Sequence, residues 1–415
     1  MSRLSSLLDN PRAVPAICFT ALCLSLVYCY LVYPFWSSAL EANIDPDWWG
    51  KLGHGLWRRG VLGYPPEFEP VVYRAPLYAM LIAGVLWLTG GAVWPHGIQL
   101  VQCLLFAGTC LLTYTLARDM FGRRTGVLAC LACAVHPFLI WYTSRLWVES
   151  FLAFLFVLLA NVLVRCLKDG RWRWYLAAGV VLGLCALTKS TFLPYFLLMP
   201  VALVVSGGKR FAPRAGVLAL TACCVVAPWT LRNYGVTGRF IPVHVGAGVN
   251  LAHADCVFEN FWRSPFAHTS LGWSCWDDVI KPVERTLPDE MSNADRMMSL
   301  DGYFMDQSKR KYREHPGFLI RKMAFNSVMF WVFSGSRVKS AVLAVLQLPV
   351  LFLAAWGAAG VVRRHGWRSW RAVMLVLPLV YYLEHLPINA VARYSAVLLP
   401  MLLAYAARLP FRREA

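Results

Sequence analysis

The sequence is poor in charge and lacks the motifs that mark many soluble enzymes. Only 15% of its 415 residues are Asp, Glu, Lys or Arg, whereas 58% are hydrophobic, and the mean hydropathy is +0.52. Water could not cover that much apolar surface, so an ordinary soluble globular protein is excluded. There is no HExxH, Walker loop, GxGxxG after a strand or GxSxG, so nothing supports a zinc protease, a P-loop NTPase, a dinucleotide-binding enzyme or an α/β-hydrolase.

The basic residues are spread along the chain and form no single patch. The formal net charge is +18, but Lys and Arg stand in short groups between apolar runs, as at 123–124, 209–210 and 363–364. This pattern is the positive-inside signature of membrane topology. It indicates contact with membrane lipids and argues against nucleic acid as a partner.

Long apolar segments recur through the whole chain. They lie near 14–33, 76–94, 98–118, 124–142, 147–165, 173–187, 190–206, 215–231, 338–362, 371–386 and 393–408. The sequence therefore predicts an all-α polytopic membrane protein with about 10–12 transmembrane helices and amphipathic interfacial helices in the outer loops. No small-residue cleavage site follows the first segment, which is expected to be a retained helix.

Three regions follow from these segments. They are an N-terminal transmembrane catalytic module at 1–231 with a first outer loop at 35–78, a large outer loop at 232–337, and C-terminal transmembrane helices at 338–415. Within the large loop, Arg321 and Lys322 interrupt the apolar run 314–331. That run is too short and too charged for a span, so we predict an amphipathic helix lying on the outer surface.

Charge sets the orientation of most segments. Cytoplasmic loops are indicated by KDGRWR at 168–173, GGKR at 207–210, RRHGWR at 363–368 and RLPFRRE at the end of the sequence. The loop 35–78 then lies outside. The basic turn 121–124 would also lie outside if 76–94 and 98–118 both crossed, so we predict one net crossing between 76 and 118. The alternative is two full crossings with a local violation of the charge rule.

Two acids of the first outer loop lie unusually close to a membrane span. Asp45 and Asp47 precede WWGKLGHGL, and carboxylates in such positions usually face a water-filled cavity or a polar partner. Either residue is also suited to cap the following helix, with Pro46 near its first turn. A cap and a catalytic role are compatible, and the residues alone leave open which aspartate acts.

Glu149 is a single acid at the mouth of an otherwise apolar helix, SRLWVESFLAFLFVLLANVLV. The predicted orientation places that mouth on the outer face, together with Asp45. Two structural alternatives are an interaction with the helix dipole and a salt bridge to Arg145.

Single cations recur where predicted helices meet the outer loops. They are Arg74 in YRAPLY, Lys189 in LTKSTF, Arg232 in WTLRNY and Arg393 in VARYSA. Each has a structural alternative, such as an interfacial Tyr/Arg belt or a snorkelling side chain. Together with the acids they predict an outward-facing pocket suited to moving a group from a lipid phosphate.

The cysteines and histidines supply fewer candidate site residues than the acids and cations do. Eleven of the 13 cysteines lie in or beside apolar runs, where a thiol behaves as a small hydrophobe. Cys256 and Cys275 lie in the large outer loop and are disulfide candidates if that loop faces an oxidising compartment; the alternative is two free thiols. The nine histidines show no paired spacing, so no metal site and no cofactor is predicted, although a divalent metal is left open.

These motifs, in this order, resemble a known family. The sequence is similar to polytopic glycosyltransferases with the C-type fold, in particular the family 39-like branch of protein O-mannosyltransferases and lipid A aminoarabinose transferases. Their D-x-x-x-Y-x-x-x-A-x-x-L and R-P-P-L-Y motifs are matched by Asp45, Trp49, Gly53, Leu56 and RAPLY at 74–78. Further matches are FGRRTG at 121–126, Glu149, GLCALTK at 183–189, PWTLRNY at 228–234, and Arg393 with Tyr394. Trp49 departs from the usual Tyr.

The resemblance implies a function and residue roles. The enzyme would move one hexose or pentose, with inversion, from a polyprenyl-phosphate donor to a hydroxyl of a lipid, glycan or protein. Asp45 is expected to be the base, and Glu149 a second catalytic-site residue that positions the acceptor or the sugar. The residues expected to bind substrate are Asp47, Arg74, Tyr78, Lys189, Arg232, Arg393 and Tyr394. The expected location is a bacterial inner membrane, with the site on the periplasmic face of the cell envelope.

Two other functional classes remain as alternatives. A transporter or lipid flippase also carries charges within the membrane, although such proteins often show inverted repeats, and no internal symmetry is evident in this sequence. A polysaccharide polymerase or ligase is also polytopic with a long outer loop. It would use a glycan chain already on lipid as its donor.

Overall fold

The computed structural model describes residues 8–36, 44–261, 275–334 and 337–409, and all regular structure within these ranges is helical. The α-helices of six or more residues are α1 Ala13–Val27, α2 Trp49–Arg59, α3 Leu77–Thr89, α4 His96–Phe121, α5 Arg123–Ala134, α6 Pro137–Tyr142, α7 Val148–Asp169, α8 Trp172–Thr188, α9 Tyr195–Gly207, α10 Ala212–Thr237, α11 Ala247–Phe261, α12 Asn293–Glu314, α13 Pro316–Val332, α14 Arg337–His365, α15 Val376–His385 and α16 Leu399–Ala406. The predicted all-α class is confirmed. Parts of three predicted regions, at 37–43, 262–274 and 410–415, lie outside the described residues.

Six helical stretches in the described ranges are long and apolar enough to cross a membrane. They are Ala13–Val32, His96–Phe121, Val148–Asp169, Ser190–Gly207, Lys209–Thr237 and Val338–His365. Other predicted spans occur as shorter or broken helices. The segment 124–142, for example, is divided between α5 and α6, because His136 is extended and Pro137 begins a new helix.

The two ends of the helix bundle differ in charge. Arg371 Nε donates to the carbonyl of Met120 at 2.8 Å, and Lys168 Nζ donates to the carbonyl of Asp119, so three basic loops gather at one end. The start of α4 lies at the other end, where Gln102 donates to the carbonyl of Arg145 at 2.8 Å. Helix α4 is long enough to span a membrane and runs between these two ends. The 13-residue α3 is about 20 Å long, which is shorter than the ~30 Å hydrocarbon core. One net crossing between 76 and 118 stays a prediction.

Helix α7 is the centre of the transmembrane core. Leu152, Phe156, Leu159 and Ala160 are fully buried, and α7 packs against α4, α8 and the 3₁₀ segment Ala392–Val397. The helix begins at Val148, so its first turn carries Glu149 directly against the C-terminal segment. This packing brings residue 149 and residue 393 together.

Helices α11, α12 and α13 form the described part of the large outer region. Cys256 and Cys275 are joined by a disulfide with their Cα atoms 5.8 Å apart. The helix predicted at 314–331 is present as α13, but Lys322 has no exposed surface and ion-pairs with Asp255. Its neighbour Arg321 is exposed. Lys322 thus belongs to the interior of the outer region and does not face the membrane surface.

Candidate active site

Asp45 sits in the turn that leads into α2. Its Oδ2 accepts the N–H of Gly50 at 2.8 Å, and its carbonyl accepts the N–H of Trp48 at 3.2 Å. The helix-cap contact predicted as one alternative is therefore present. Oδ1 is buried and has no hydrogen-bond partner, and burial raises the pKa of the carboxyl to about 6 despite the nearby backbone N–H groups. One oxygen is thus held by the start of α2, and the other is buried without a hydrogen-bond partner.

Asp47 and Glu149 share one cation, Arg393. Nη1 of Arg393 lies 2.8 Å from Asp47 Oδ2, and its Nε lies 3.6 Å from Oε1 of Glu149, whose side chain is 2% exposed. Burial raises the pKa of Asp47, but the charges of Arg393 and Arg74 outweigh it and leave the pKa below its usual value. The expected partner Arg145 instead packs over the rings of Trp141 and Trp147.

Arg74 precedes α3 and Tyr78 lies in its first turn, and of the two only Arg74 lines a cavity. Arg74 lies over the Trp49 ring, 5.3 Å from its centroid, and Nη2 is 3.5 Å from the carbonyl of Asp47. Tyr78 has no exposed surface, and its hydroxyl donates to Gln102 at 2.9 Å. Its ring packs against Trp49, and it does not line the cavity.

A cavity of about 520 Å³ lies between these groups and the outer region. Its lining includes four cations and one acid: Arg74, Arg145, Lys339, Arg393 and Asp47. Aromatic side chains form much of the remaining wall, among them Phe138, Trp141, Tyr142, Trp147, Phe333 and Tyr394. Lys339 and Leu343 come from α14, so a helix long enough to span the membrane forms part of this wall. We call this the cationic cavity.

Lys189 adjoins the cationic cavity through Tyr394. Its ammonium lies 3.6 Å from the centroid of the Tyr394 ring and 3.0 Å from Nε2 of His385. The His385 Nδ1 atom is 2.6 Å from the carbonyl of Tyr381, which can only accept, so Nδ1 donates and Nε2 accepts from Lys189. Lys189 thus contacts the neutral groups of His385, Tyr381 and Tyr394, and no carboxylate lies within 4 Å of it among the described residues.

Arg232 is not brought into this group. Its Nη1 donates to the carbonyl of Val71 at 2.9 Å and to Asn233 at 3.1 Å, and its guanidinium lies over Trp229. The side chain thus holds the end of the first outer loop against α10.

Trp147 and His385 were not predicted to be site residues, and Arg145 was considered only as a partner for Glu149. Arg145 and Trp147 flank Leu146 in SRLWVES, beside Glu149, and that proximity was the available signal. His385 stands in an apolar helix, and nothing in its neighbourhood marks it.

Asp45 lines a second cavity, which shares no lining residue with the cationic cavity. Trp48, Lys51 and His54 also line it. Within the described residues, no group of three or more His, Cys, Asp or Glu side chains is gathered closely enough to hold a metal ion.

Comparison with known proteins agrees with the resemblance. Residues 73–231 match a family model described as dolichyl-phosphate-mannose-protein mannosyltransferase. A putative mannosyltransferase of Bacillus subtilis (strain 168), YkcB, is 28% identical over 169 residues, which is 39% of this chain and 22% of that protein. The matched part of the sequence includes Arg74, Glu149 and Lys189 but not Asp45 or Arg393.

Solved structures extend the likeness to almost the whole chain. The oligosaccharyltransferase of Archaeoglobus fulgidus, tethered to an acceptor peptide, superimposes with a TM-score of 0.58 at 14% identity, over 96% of this chain and 49% of that chain. The archaeal oligosaccharyltransferase AglB from Archaeoglobus fulgidus, in complex with an inhibitory peptide and a dolichol-phosphate, gives a TM-score of 0.57 at 13% identity, over 96% of this chain and 50% of that chain. This chain therefore spans about half the length of these proteins. The C-type fold and an integral multi-pass membrane protein are confirmed.

Proposed function

We propose that this protein is a membrane glycosyltransferase that moves one hexose or pentose from a polyprenyl-phosphate donor to an acceptor hydroxyl. The main observation that supports this proposal is the cationic cavity. Arg74, Arg145 and Arg393 line it beside one acid, Asp47, which is already paired with Arg393, so an entering phosphate would meet net positive charge. Such a cavity beside a membrane helix suits a ligand with an anionic head and an apolar tail.

The similar proteins support a polyprenyl-phosphate donor. The matching family is described by a dolichyl-phosphate-mannose substrate, and the archaeal oligosaccharyltransferase has been solved with dolichol-phosphate. In this chain the donor phosphate would lie against Arg74 and Arg393, with Lys189 behind Tyr394. The polyprenyl chain would leave along Leu343 of α14. These roles extend the contacts described above and are part of the proposal.

The reaction is a single displacement. The Asp45 carboxylate takes the proton of the acceptor hydroxyl while the hydroxyl oxygen attacks the anomeric carbon, and the bond from this carbon to the phosphate oxygen breaks. The anomeric centre inverts, and the polyprenyl phosphate leaves with one additional negative charge. Arg74 and Arg393 stabilise that charge because they are fixed before the reaction by Trp49, Asp47 and Glu149.

The proposed side of the membrane is the outer one. The basic loops gather at the end of the bundle opposite Asp45, Glu149 and Arg393, which supports a cytoplasmic basic end and a periplasmic site in a bacterial inner membrane. The acceptor, whether lipid, glycan or protein, would then belong to the cell envelope.

Lipid analysis tests the proposal. In cells that lack the protein, we expect mass spectrometry of extracted lipids to show an accumulated polyprenyl-phosphate sugar. The wild-type gene should remove it, and a gene encoding Asp45→Asn, expressed at the same level, should not. Absence of any accumulated polyprenyl-phosphate sugar would contradict the proposed donor.

A further inference from the structure

The second cavity, lined by Asp45, combines cations with exposed aromatic rings. Its volume is about 520 Å³, within the roughly 300–1,000 Å³ that is common for small-molecule sites. Lys51, His54 and Arg58 line it from α2, at spacings of three and four residues, which place them along one face of the helix. Trp48, Phe68 and Trp94 supply the aromatic surface. We call it the aromatic cavity.

The cations of this cavity have no acidic partners among the described residues. Lys51 Nζ lies 4.2 Å from the centroid of the Trp48 ring, and the Arg58 guanidinium lies 5.2 Å from that of Trp57. Nδ1 of His54 is 2.9 Å from the carbonyl of Gly50 and so donates to it, which leaves Nε2 as an acceptor. No carboxylate of the described chain lies within 4 Å of Lys51 or Arg58. An anionic group entering the cavity would therefore meet two cations that no carboxylate of the described chain pairs with.

Two of the aromatic residues are held in an unusual backbone conformation. Trp48 and Phe68 have φ values of 61° and 54°, and they are the only non-glycine residues with positive φ in the described chain. Side chains disfavour this region, and such residues concentrate at ligand sites, where the surrounding structure fixes them. The Trp48 side chain is 51% exposed although it is large and apolar. Both residues line the aromatic cavity, where a flat, partly apolar ligand would cover them.

The role of the aromatic cavity in the reaction follows from the position of Asp45, and this step rests on the proposed function. The acceptor hydroxyl must come within hydrogen-bond reach of the base, and Asp45 lines the aromatic cavity and not the cationic one. We infer that the aromatic cavity binds the acceptor, and that the acceptor is a saccharide bearing an anionic group. Its sugar ring packs on Trp48 and Trp94, and its anion pairs with Lys51 and Arg58.

Binding measurements with simple probes test this inference. The full-length protein in phosphatidylcholine nanodiscs is titrated with maltose, maltose 1-phosphate and glycerol 1-phosphate, with tryptophan fluorescence or calorimetry as the readout. Maltose 1-phosphate should bind at least tenfold more tightly than either of the others, because only this probe offers both a ring and an anion. In Lys51→Gln/Arg58→Gln the preference over maltose should disappear. Both side chains are exposed, so these substitutions leave the core intact.

The control variant is Arg239→Gln, which removes an exposed arginine outside the cavity and should keep the preference. Equal binding of maltose and maltose 1-phosphate would overturn the anionic acceptor. Equal binding of glycerol 1-phosphate and maltose 1-phosphate would overturn the saccharide and leave only a site for phosphate or a lipid headgroup. Undecaprenyl phosphate is titrated in the same nanodiscs. If it does not bind, the proposed function fails and the acceptor role fails with it. If it binds but maltose and maltose 1-phosphate bind equally tightly, this inference alone is overturned.

Discussion

Arg393 Nη1 lies 2.8 Å from Asp47 Oδ2, although 346 positions separate the two residues in the chain. The same guanidinium approaches Glu149, so one side chain from the C-terminal segment joins the first outer loop to the central helix α7. The pair is about a quarter exposed on each side. It therefore sits at the wall of the cationic cavity, where it both orders the loop and presents positive charge.

Arg393 is expected to be essential for donor use. Arg393→Gln removes a charge from the cavity and leaves the buried Glu149 without its cation, so kcat/KM for the donor should fall about 100-fold, or roughly 3 kcal/mol. Arg393→Lys should recover only part of this, because an ammonium cannot reach both acids as the guanidinium does. The measurement is sugar transfer in membranes at several donor concentrations.

Arg232→Gln is the matched control. Arg232 is also a single arginine at the outer end of a predicted helix, but it donates to the carbonyl of Val71 and does not line the cavity. We expect its kcat/KM to stay within about threefold of the wild type. Equal losses in the Arg393 and Arg232 variants would show that the cavity does not select the donor.

The rate should depend on pH through Asp45. The base acts as a carboxylate, and burial raises its pKa to about 6, so about half of the molecules are active at pH 6 and about a tenth at pH 5. Hence kcat/KM should rise between pH 5 and pH 7 and level off above. In Asp47→Asn, which removes a neighbouring negative charge, the midpoint should move to lower pH. A flat profile from pH 5 to pH 8 would contradict the assignment of the base.

Lys322 should matter for stability and not for chemistry. It is fully buried, and its ammonium is held by Asp255 and the Tyr312 hydroxyl. Lys322→Met leaves the buried Asp255 with the Tyr312 hydroxyl and one more distant cation, Lys311, 3.7 Å away, and should destabilise the outer region by about 3–5 kcal/mol. Asp255→Leu/Lys322→Met should regain much of this. Hydrogen exchange of α11 to α13 is the measurement, with exposed Arg321→Met as the control; a loss no greater than in that control would refute the prediction.

The fold class could be predicted from the sequence because membrane helices are recognisable from their apolar composition alone. The breaks were harder to predict: 124–142 is apolar throughout, and only Pro137 hints that α5 stops and α6 begins. The burial of Lys322 could not be predicted for a different reason. A lysine in an apolar run is predicted to be interfacial unless its partner is known, and the partner Asp255 lies 67 positions away.

The site was partly accessible for a similar reason. A single charge at the end of an apolar segment is conspicuous, which marks Arg74, Glu149 and Arg393. Their pairing depends on helix packing and has no local pattern, so neither the Arg393 bridge nor the burial of Tyr78 was predictable. The separate cavities of Asp45 and Asp47 were equally hidden, because the two residues are neighbours in sequence.

Comparison of Asp45→Asn with Asp47→Asn tests the account most directly. Asparagine can still accept the N–H of Gly50, so Asp45→Asn keeps the cap of α2 and removes only the base. With both variants at equal expression in membranes, Asp45→Asn should lose sugar transfer by about 10²–10⁴-fold in kcat. Asp47→Asn, which loosens Arg393, should mainly raise the donor KM. An active Asp45→Asn enzyme beside an inactive Asp47→Asn enzyme would contradict Asp45 as the base.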